Sequence, residues 1–391
     1  MYKNNIITIS GVPVSGKGTT IKKIIEKLEK QGYKPENIHH VSTGHIFRDY
    51  FNAVEEIIRN TGNLEKANID FKGNKDMEKL FHDTNFRSAI IRAVIALRKR
   101  NYNLEELSIE QANNLEELKD VRAIIDNAID SNIKNLGIEI NKEEHPNDIW
   151  LIDSRLAFDN IPESFSVRLT VDENKAAERL YNDHSRGKED NKYKNVQEAK
   201  KAILKRKSGE IKRYLERYNV NLEDEDNYDL IIDTSYSTVD DIADVILSCN
   251  ERYRKNQDFG KKWASPKIFL PLQSELSTLQ RGRELNMDEM MKSIKENGYY
   301  PDKSIQTINV DGRYYIIEGH HRNFGAAIEK KTLIPYDVIT KDEGIKERAK
   351  GLTKSYLTGH EWLIGKDFSY KEVYPEIYEE LERKEKELEQ R

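Results

Sequence analysis

With 391 residues the chain exceeds one comfortable hydrophobic core, so two domains are expected. Charged residues make up 34% at a net charge of −5, with both signs interspersed, which excludes attachment to DNA by bulk positive charge and leaves only a local basic groove for such a role. The single cysteine, Cys249, excludes an intrachain disulfide and a thiolate zinc site, and no apolar run approaches membrane-spanning length. The N-terminus enters a strand without a signal-peptide pattern, so a cytoplasmic location with no membrane partner is the expectation.

The first element is an apolar strand at Ile6–Ile9. It runs into Gly11-Val-Pro-Val-Ser-Gly-Lys17-Gly-Thr19-Thr20, which opens an amphipathic helix. A strand that ends in GxxxxGK and turns into a helix aims several backbone N–H groups and the helix N-terminus at one point, a cradle for a nucleotide phosphate. Gly11, Ser15, Gly16, Lys17, Gly18, Thr19 and Thr20 are therefore the ATP-binding residues. Lys17 is placed to bridge the β- and γ-phosphates, and Thr19 or Thr20 to hold Mg²⁺ or an α-phosphate, with Thr19 the assigned Mg²⁺ ligand. Gly18 stands where many such loops have Ser or Thr directly after the lysine, a variant typical of kinases of nucleotides and small metabolites.

Further strands are expected before Ser42, at Trp150–Asp153, at Val167–Val171 and at Leu230–Asp233, separated by helical patterns. Continuous apolar, β-branched runs alternating with helices predict an α/β fold with a parallel sheet covered on both faces. Residues 52–120 break this rhythm as a charged, helical insertion over the acceptor side. The P-loop domain is expected to span 1–250 and a charged linker 251–265. A small α+β domain follows at 266–345, with extended Ile268-Phe-Leu-Pro-Leu, a helix near Met287–Glu296 and strands at Ile305–Val310 and Tyr314–Glu318. The remainder, 346–391, ends in a polar, frayed helix.

Phosphoryl transfer needs charge neutralised as it develops, so arginines outside the loop matter. Gly44 and Arg48 follow the second strand. Asp153-Ser-Arg155 ends another strand, where open α/β sheets bind ligands. Arg179 and His184-Ser-Arg186-Gly-Lys188 lie in a polar, lid-like stretch, and Arg206 and Arg213 stand seven apart on one helix face.

These strings carry a resemblance. ITISGVPVSGKGTT, VSTGHIFR, WLIDSRLAF, SFSVRLTVDENKAAERL, RKSGEIKRYLERYNV and NYDLIIDTS, over residues 5–50 and about 120–248, resemble the cytidylate-kinase-like branch of the nucleoside monophosphate kinases. The resemblance implies transfer of the ATP γ-phosphate to a nucleoside monophosphate. It implies Lys17 as the phosphate lysine, Arg48 and Arg155 as acceptor contacts and Arg186 as a lid arginine. Arg206 and Arg213 fall on the arginine-bearing helix, with Asp153 at the magnesium-water or acceptor position. Two departures stand out: Val14 replaces the second glycine of the usual GxPGSGKGT and stiffens the loop, and the insertion occupies the place of the acceptor-binding helices.

The second half has its own signal. A hairpin turned at Asp311-Gly312 delivers Glu318 and Gly319, and a helix then opens with His320, His321 and Arg322, an anion-binding arrangement. Adjacent histidines point to different sides of a helix, which argues against a shared metal. The stretch about 266–340 resembles the ParB and sulfiredoxin-like superfamily, whose members bind CTP or ATP here and include free serine kinases with a DGHHR string. The resemblance implies a second nucleotide site at Glu318, Gly319, His320, His321 and Arg322, with Glu318 in place of that Asp, and Glu275 or Glu284 as a possible second carboxylate. No helix-turn-helix or basic arm follows, which argues against chromosome partitioning. The expectation is an ATP- and Mg²⁺-dependent kinase of a CMP- or dCMP-like nucleotide. The alternatives are a hydroxyl acceptor (a modified base in DNA, free serine or a small metabolite) and a nucleotide-binding, DNA-associated switch.

Overall fold

The computed structural model describes residues 4–44, 121–183, 193–272, 287–297, 299–300, 302–339, 357, 359–361, 364–365 and 368–389. The expected insertion at 52–120, and with it Glu275 and Glu284, lies outside the described residues. The architecture is α/β: ten strands form one mostly parallel sheet with helices on its faces.

The middle of the N-terminal five strands is β1 (Asn5–Gly11), buried throughout. It lies between β3 (Ile149–Asp153) and β4 (Phe165–Thr170), both parallel, with Ile9 opposite Asp153 and Val167. Beyond them lie β2 (Ile38–Ser42) and β5 (Leu230–Asp233), also parallel. β1, β3, β4 and β5 are short, largely apolar runs because side chains on both faces must be buried, whereas β2, at the edge, carries His39 and His40 and is mostly half-buried or exposed. On one face Ile7 and Ile9 pack with Ile21, Ile24 and Leu28 of α1 (Lys17–Lys30) and with residues such as Ile242 and Ile246 of a later helix, Val239–Arg254. On the other, Ile6, Trp150 and Ile152 meet Ile133 and Ile140 of α2 (Val121–Ile140) and Ala157 of α3 (Ala157–Asn160). Two further helices, α4 (Glu173–Asn182) and α5 (Val196–Tyr218), pack together through Ala176, Ala177, Ala199 and Ile203. Both are capped by acceptors at their first turn: Asp172 accepts from the N–H groups of Asn174 and Lys175, and Asn195 from that of Glu198.

The sheet does not stop at β5. The segment 251–265, expected as a linker, holds the last turn of α6 (Val239–Arg254) and the whole of β6 (Lys262–Ala264), which runs parallel to β5. Its charge belongs to a solvated helix end, whereas Trp263 and Ala264 are buried, which corrects the linker reading. β6 then pairs antiparallel with β10 (Ile334–Val338), followed in the sheet by β8 (Ile305–Val310), β9 (Arg313–Glu318) and β7 (Phe269–Leu270). The two halves of the chain are thus joined through backbone hydrogen bonds. The hairpin between β8 and β9 turns at Asp311 and Gly312, both with positive φ, the geometry that favours an Asp-Gly pair. Helices α7 (Met287–Asn297) and α8 (His320–Ile328) cover this part.

The tail also departs from expectation. α9 (Pro375–Glu389) is charged overall, yet its Ile377, Tyr378 and Leu381, with Tyr374 just before its first turn, form a buried stripe packed on Leu270, Ile308, Tyr315 and Tyr370. The spacing i, i+3, i+4, i+7 places all four on one face. Ile377→Ala should lower the unfolding free energy by about 2–4 kcal/mol. Glu379→Ala, on the exposed side, should change it by less than about 0.5 kcal/mol. Denaturant titration of the two variants beside the parent chain checks both, and equal midpoints would mean that α9 does not dock.

Candidate functional site

The turn from β1 into α1 is held by constraints that begin at Gly11. A Cβ there would lie 2.5 Å from the Leu169 carbonyl oxygen, so only glycine lets β1 pass so close to β4. The Val12 N–H donates to the same carbonyl at 3.1 Å, and the Ser15 N–H to Val12 O at 3.3 Å. Gly16 caps α1, and the hydroxyls of Ser15 and Thr20 are buried without a hydrogen-bond partner among the described residues. Orphaned buried hydroxyls are costly unless a bound group completes them. Thr19, the assigned Mg²⁺ ligand, is exposed, whereas Thr20 is buried.

Val14 is unusual. Its φ is 63°, in the left-handed region that a β-branched side chain avoids. The isopropyl group packs against the α4–α5 cluster of Ala176, Ala177, Ala199 and Ile203, which offsets the backbone cost. Behind the loop, the Thr234 hydroxyl lies 3.2 Å from Ser15 O and 2.9 Å from Thr170 O, and accepts from Arg179 Nη1 at 3.1 Å.

Charges converge on the lysine. Lys17 Nζ donates to Gly11 O at 3.0 Å, and its pKa is lowered to about 7. Burial is the largest cause, the positive charge of Arg155 adds to it and Arg206 adds a little, while Asp153 and Glu210 oppose them. Glu210 holds the cations in place: Oε2 is 2.8 Å from Arg155 Nη2 and Oε1 is 3.0 Å from Arg206 Nε. Burial alone would raise the Glu210 pKa, but Arg155, Arg206 and Lys17 outweigh it and hold the carboxyl below its usual range. Asp153 accepts from Ser42 Oγ at 3.2 Å, and its main-chain oxygen from Thr43 Oγ1 at 3.1 Å, which joins the ends of β2 and β3.

The structure therefore brings Lys17, Asp153, Arg155 and Arg206 together. Arg213, lying beyond Glu210 on α5, stacks its guanidinium over Tyr214 at 5.1 Å. Gly44 is exposed just past β2. Arg48 and Arg186 lie outside the described residues. Glu210 escaped the sequence reading although it is a lone acid in a basic stretch, four residues after Arg206.

In the second half, Gly319 caps α8 with φ 97°, and a Cβ there would meet Ile305 Cγ2 at 2.7 Å. His320 is buried, and its Nε2 accepts the Leu272 N–H at 3.1 Å. Arg322 donates through Nη1 to the carbonyls of Lys303 and Ser304 at 3.1 and 2.8 Å, with Nη2 3.6 Å from Glu318 Oε1. Glu318 is exposed and His321 half-buried.

No protein-family model matches the chain. Over 162 residues it is 30% identical to an S-adenosylmethionine-dependent nucleotide dehydratase from Lacinutrix mariniflava, a match covering 41% of this chain and 30% of that protein. Over 57 residues it is 39% identical to the cytidylate kinase of Methanocaldococcus jannaschii, covering 15% of this chain and 32% of that one. The chain spans about a third of the length of these curated relatives. Among solved structures it is similar to shikimate kinase from Bacteroides thetaiotaomicron, with 13% identity, a TM-score of 0.30 and coverage of 63% of this chain and 98% of that one. Shikimate kinase from Acinetobacter baumannii in complex with shikimate gives 15% identity, a TM-score of 0.28 and coverage of 65% and 96%. The N-terminal part of the chain is P-loop-kinase-like by its loop geometry and its similarity to the cytidylate kinase.

The balance at Val14 can be measured. Val14→Gly removes left-handed strain of about 1–2 kcal/mol, but loses a half-buried side chain and adds unfolded-chain entropy of about 0.5–1 kcal/mol. Its stability should stay within about 1 kcal/mol of the parent. Val14→Ala keeps most of the strain and loses the contact, so it should be the less stable of the two variants by about 1 kcal/mol. The reverse order in thermal unfolding would show that Val14 carries no strain.

Proposed function

We propose that the chain is an ATP- and Mg²⁺-dependent phosphotransferase whose acceptor is a nucleoside monophosphate, CMP- or dCMP-like. The observation that carries this reading is the geometry at Lys17: its ammonium lies on the Gly11 carbonyl at a glycine-bounded strand-to-helix turn, beside two arginines that share one carboxylate. Among the described residues nothing completes the Ser15 and Thr20 hydroxyls, and a polyphosphate would. The nucleotide acceptor is supported by the short cytidylate kinase match.

In this reading the N–H groups at the start of α1 take the β-phosphate, and Lys17 spans the β- and γ-phosphates. The hydroxyls of Thr19 and Thr20 and the carboxylate of Asp153 suit Mg²⁺, a hard cation that prefers oxygen ligands and keeps several waters. When bound, the ion neutralises charge on the phosphate oxygens. Arg155 and Arg206 exchange part of their pairing with Glu210 for the phosphate oxygens of acceptor and donor, so that compensation already exists where negative charge develops. Arg48 and Arg186 are the further arginines assigned to acceptor and lid.

The second half is proposed as a separate nucleotide site, with Gly319 and the first turn of α8 as the anion-facing element and Glu318, His320, His321 and Arg322 around it. Arg322→Ala should weaken a binding event distinct from that at Lys17. Unchanged stoichiometry and affinity in nucleotide titrations would remove this assignment.

Lys17→Ala should abolish ATP-dependent transfer, measured with γ-labelled ATP against a panel of nucleoside monophosphates. Full activity in that variant would sink the loop assignment. A second readout is thermodynamic. Below pH about 7 Lys17 is protonated both folded and unfolded, and between about 7 and 10.5 the unfolded chain holds the extra proton, so this residue's contribution makes stability rise with pH across that window. A bound polyphosphate restores the charge, so ATP binding at pH 8 should take up a fraction of a proton. Calorimetry in buffers of different ionisation heat should show this uptake in the parent chain and not in Lys17→Ala.

A further inference from the structure

Beside the first residues of the loop a cleft of roughly 360 Å³, including its open mouth, runs beneath α5. Gly11, Val12 and Pro13 form one wall, Ile211 and Glu210 of α5 the roof, and Arg168 and Tyr228 the floor. Arg168 is odd for its place. It sits in β4, opposite Ser10 of β1 and Ile231 of β5, where a central strand would normally carry an apolar residue. It is only 8% exposed.

Among the described residues its guanidinium donates one hydrogen bond, from Nη1 to Glu223 O at 3.1 Å, and lies 5.4 Å from the centre of the Tyr228 ring. An arginine has five N–H donors, so most of the fork is left facing the cleft. The neighbouring carboxylates are committed elsewhere: Glu223 pairs with Lys207 at 3.1 Å, and Glu210 with Arg155 and Arg206. Arg155, Arg168 and Lys207 line the cleft against Glu210 and Glu223, which leaves a positive balance. None of the Arg168 nitrogens is both buried and unpartnered, so the donors left over are open to the cleft, where a ligand with oxygen acceptors can replace solvent.

Resting on the phosphotransferase reading, we propose that this cleft seats the end of the acceptor remote from its reacting oxygen, and that Arg168 is its specificity residue. Arg168 donates to carbonyl or carboxylate oxygens on that end, while the Tyr228 ring and Ile211 cover its planar, apolar faces. A pyrimidine 2-oxo group and a small-molecule carboxylate share this chemistry. Adenine does not, because it has no carbonyl oxygen and offers only ring-nitrogen acceptors to the guanidinium fork.

The test uses the full chain with Mg²⁺ and a non-hydrolysable ATP analogue, titrated by calorimetry with CMP, UMP, AMP and shikimate. CMP and UMP should bind at least ten-fold more tightly than AMP. Arg168→Met should erase that difference while leaving affinity for the ATP analogue unchanged. Because Arg168 lies inside the sheet, a second variant, Ile211→Trp, fills the cleft from the half-buried α5 side and should weaken CMP and UMP likewise. Binding of shikimate in place of the nucleotides, lost in both variants, would support the site with a carboxylate as its ligand. Equal affinities in the parent and both variants, no binding of any of the four, or a parallel loss of the ATP analogue would overturn the proposal. Transfer assays separate the two claims: variant-sensitive binding without transfer to any acceptor removes the phosphotransferase reading and keeps the site. Transfer to CMP that neither variant affects does the opposite.

Discussion

Two guanidiniums cannot be kept within reach of one lysine ammonium unless something negative separates them, and Glu210 supplies that separation. Each of its carboxylate oxygens takes one guanidinium, at 2.8 and 3.0 Å, so a single side chain on α5 fixes Arg155 from the end of β3 and Arg206 from its own helix. Without it, Arg155 and Arg206 would repel Lys17 and each other in a partly desolvated space, where such repulsion is least screened. The arrangement is also reversible. A carboxylate that holds two guanidiniums can yield part of each to a phosphate without any group having to cross the site, so the charge complement is assembled before ligand arrives. That is how electrostatic preorganisation is achieved with long, otherwise flexible side chains.

The sheet makes this arrangement part of something larger. Thr234, just beyond β5, touches the carbonyl of Ser15 and receives Arg179 of α4. Two residues later the Tyr236 hydroxyl donates to Glu372 O at 3.3 Å, and the Glu372 carboxylate lies 3.6 Å from Lys175 of α4 and 2.9 Å from Lys267. The turn after β5 thus faces the phosphate loop on one side and the C-terminal half on the other. These ion pairs are partly exposed and individually weak. Their position matters more than their strength, because the hydrogen-bonded pairing of β5 with β6 and of β6 with β10 already fixes the geometry they decorate.

What could be read from the sequence follows from which signals are local. Short strands and the glycine-bounded loop announce themselves because their constraint lies within a few consecutive residues: the apolar run Leu230–Asp233 and the mixed polar and apolar Ile305–Val310 are found where the pattern put them. The buried stripe of the tail is hidden by its average polarity: Ile377, Tyr378 and Leu381 of α9, with Tyr374 just before it, line up only when seen down the helix axis. β6 was hidden for a related reason: three residues cannot display a period, and the charged end of α6 runs up to them. Glu210 and Arg168 needed the fold itself. An acid among bases on a helix reads as a solvated salt bridge, and an arginine in a strand reads as an edge residue, until the sheet order places one over the lysine and the other beneath the helix.

Val14 shows why the site behaves as one piece. The left-handed backbone at that position would cost little with glycine, and a β-branched side chain there must gain something from its surroundings. What it gains is contact with Ala176 and Ala177 of α4 and Ala199 and Ile203 of α5. The small alanines let the two helices approach closely enough for one isopropyl group to reach both. The phosphate loop is thereby keyed to the helix that carries Arg206, Glu210 and Ile211. The loop after β1 and α5 are therefore packed on one another through Val14, so neither can be displaced without disturbing that contact. A glycine in the same place would leave the two free to move separately, so the substitution exchanges loop freedom for registration between the two sides of the site.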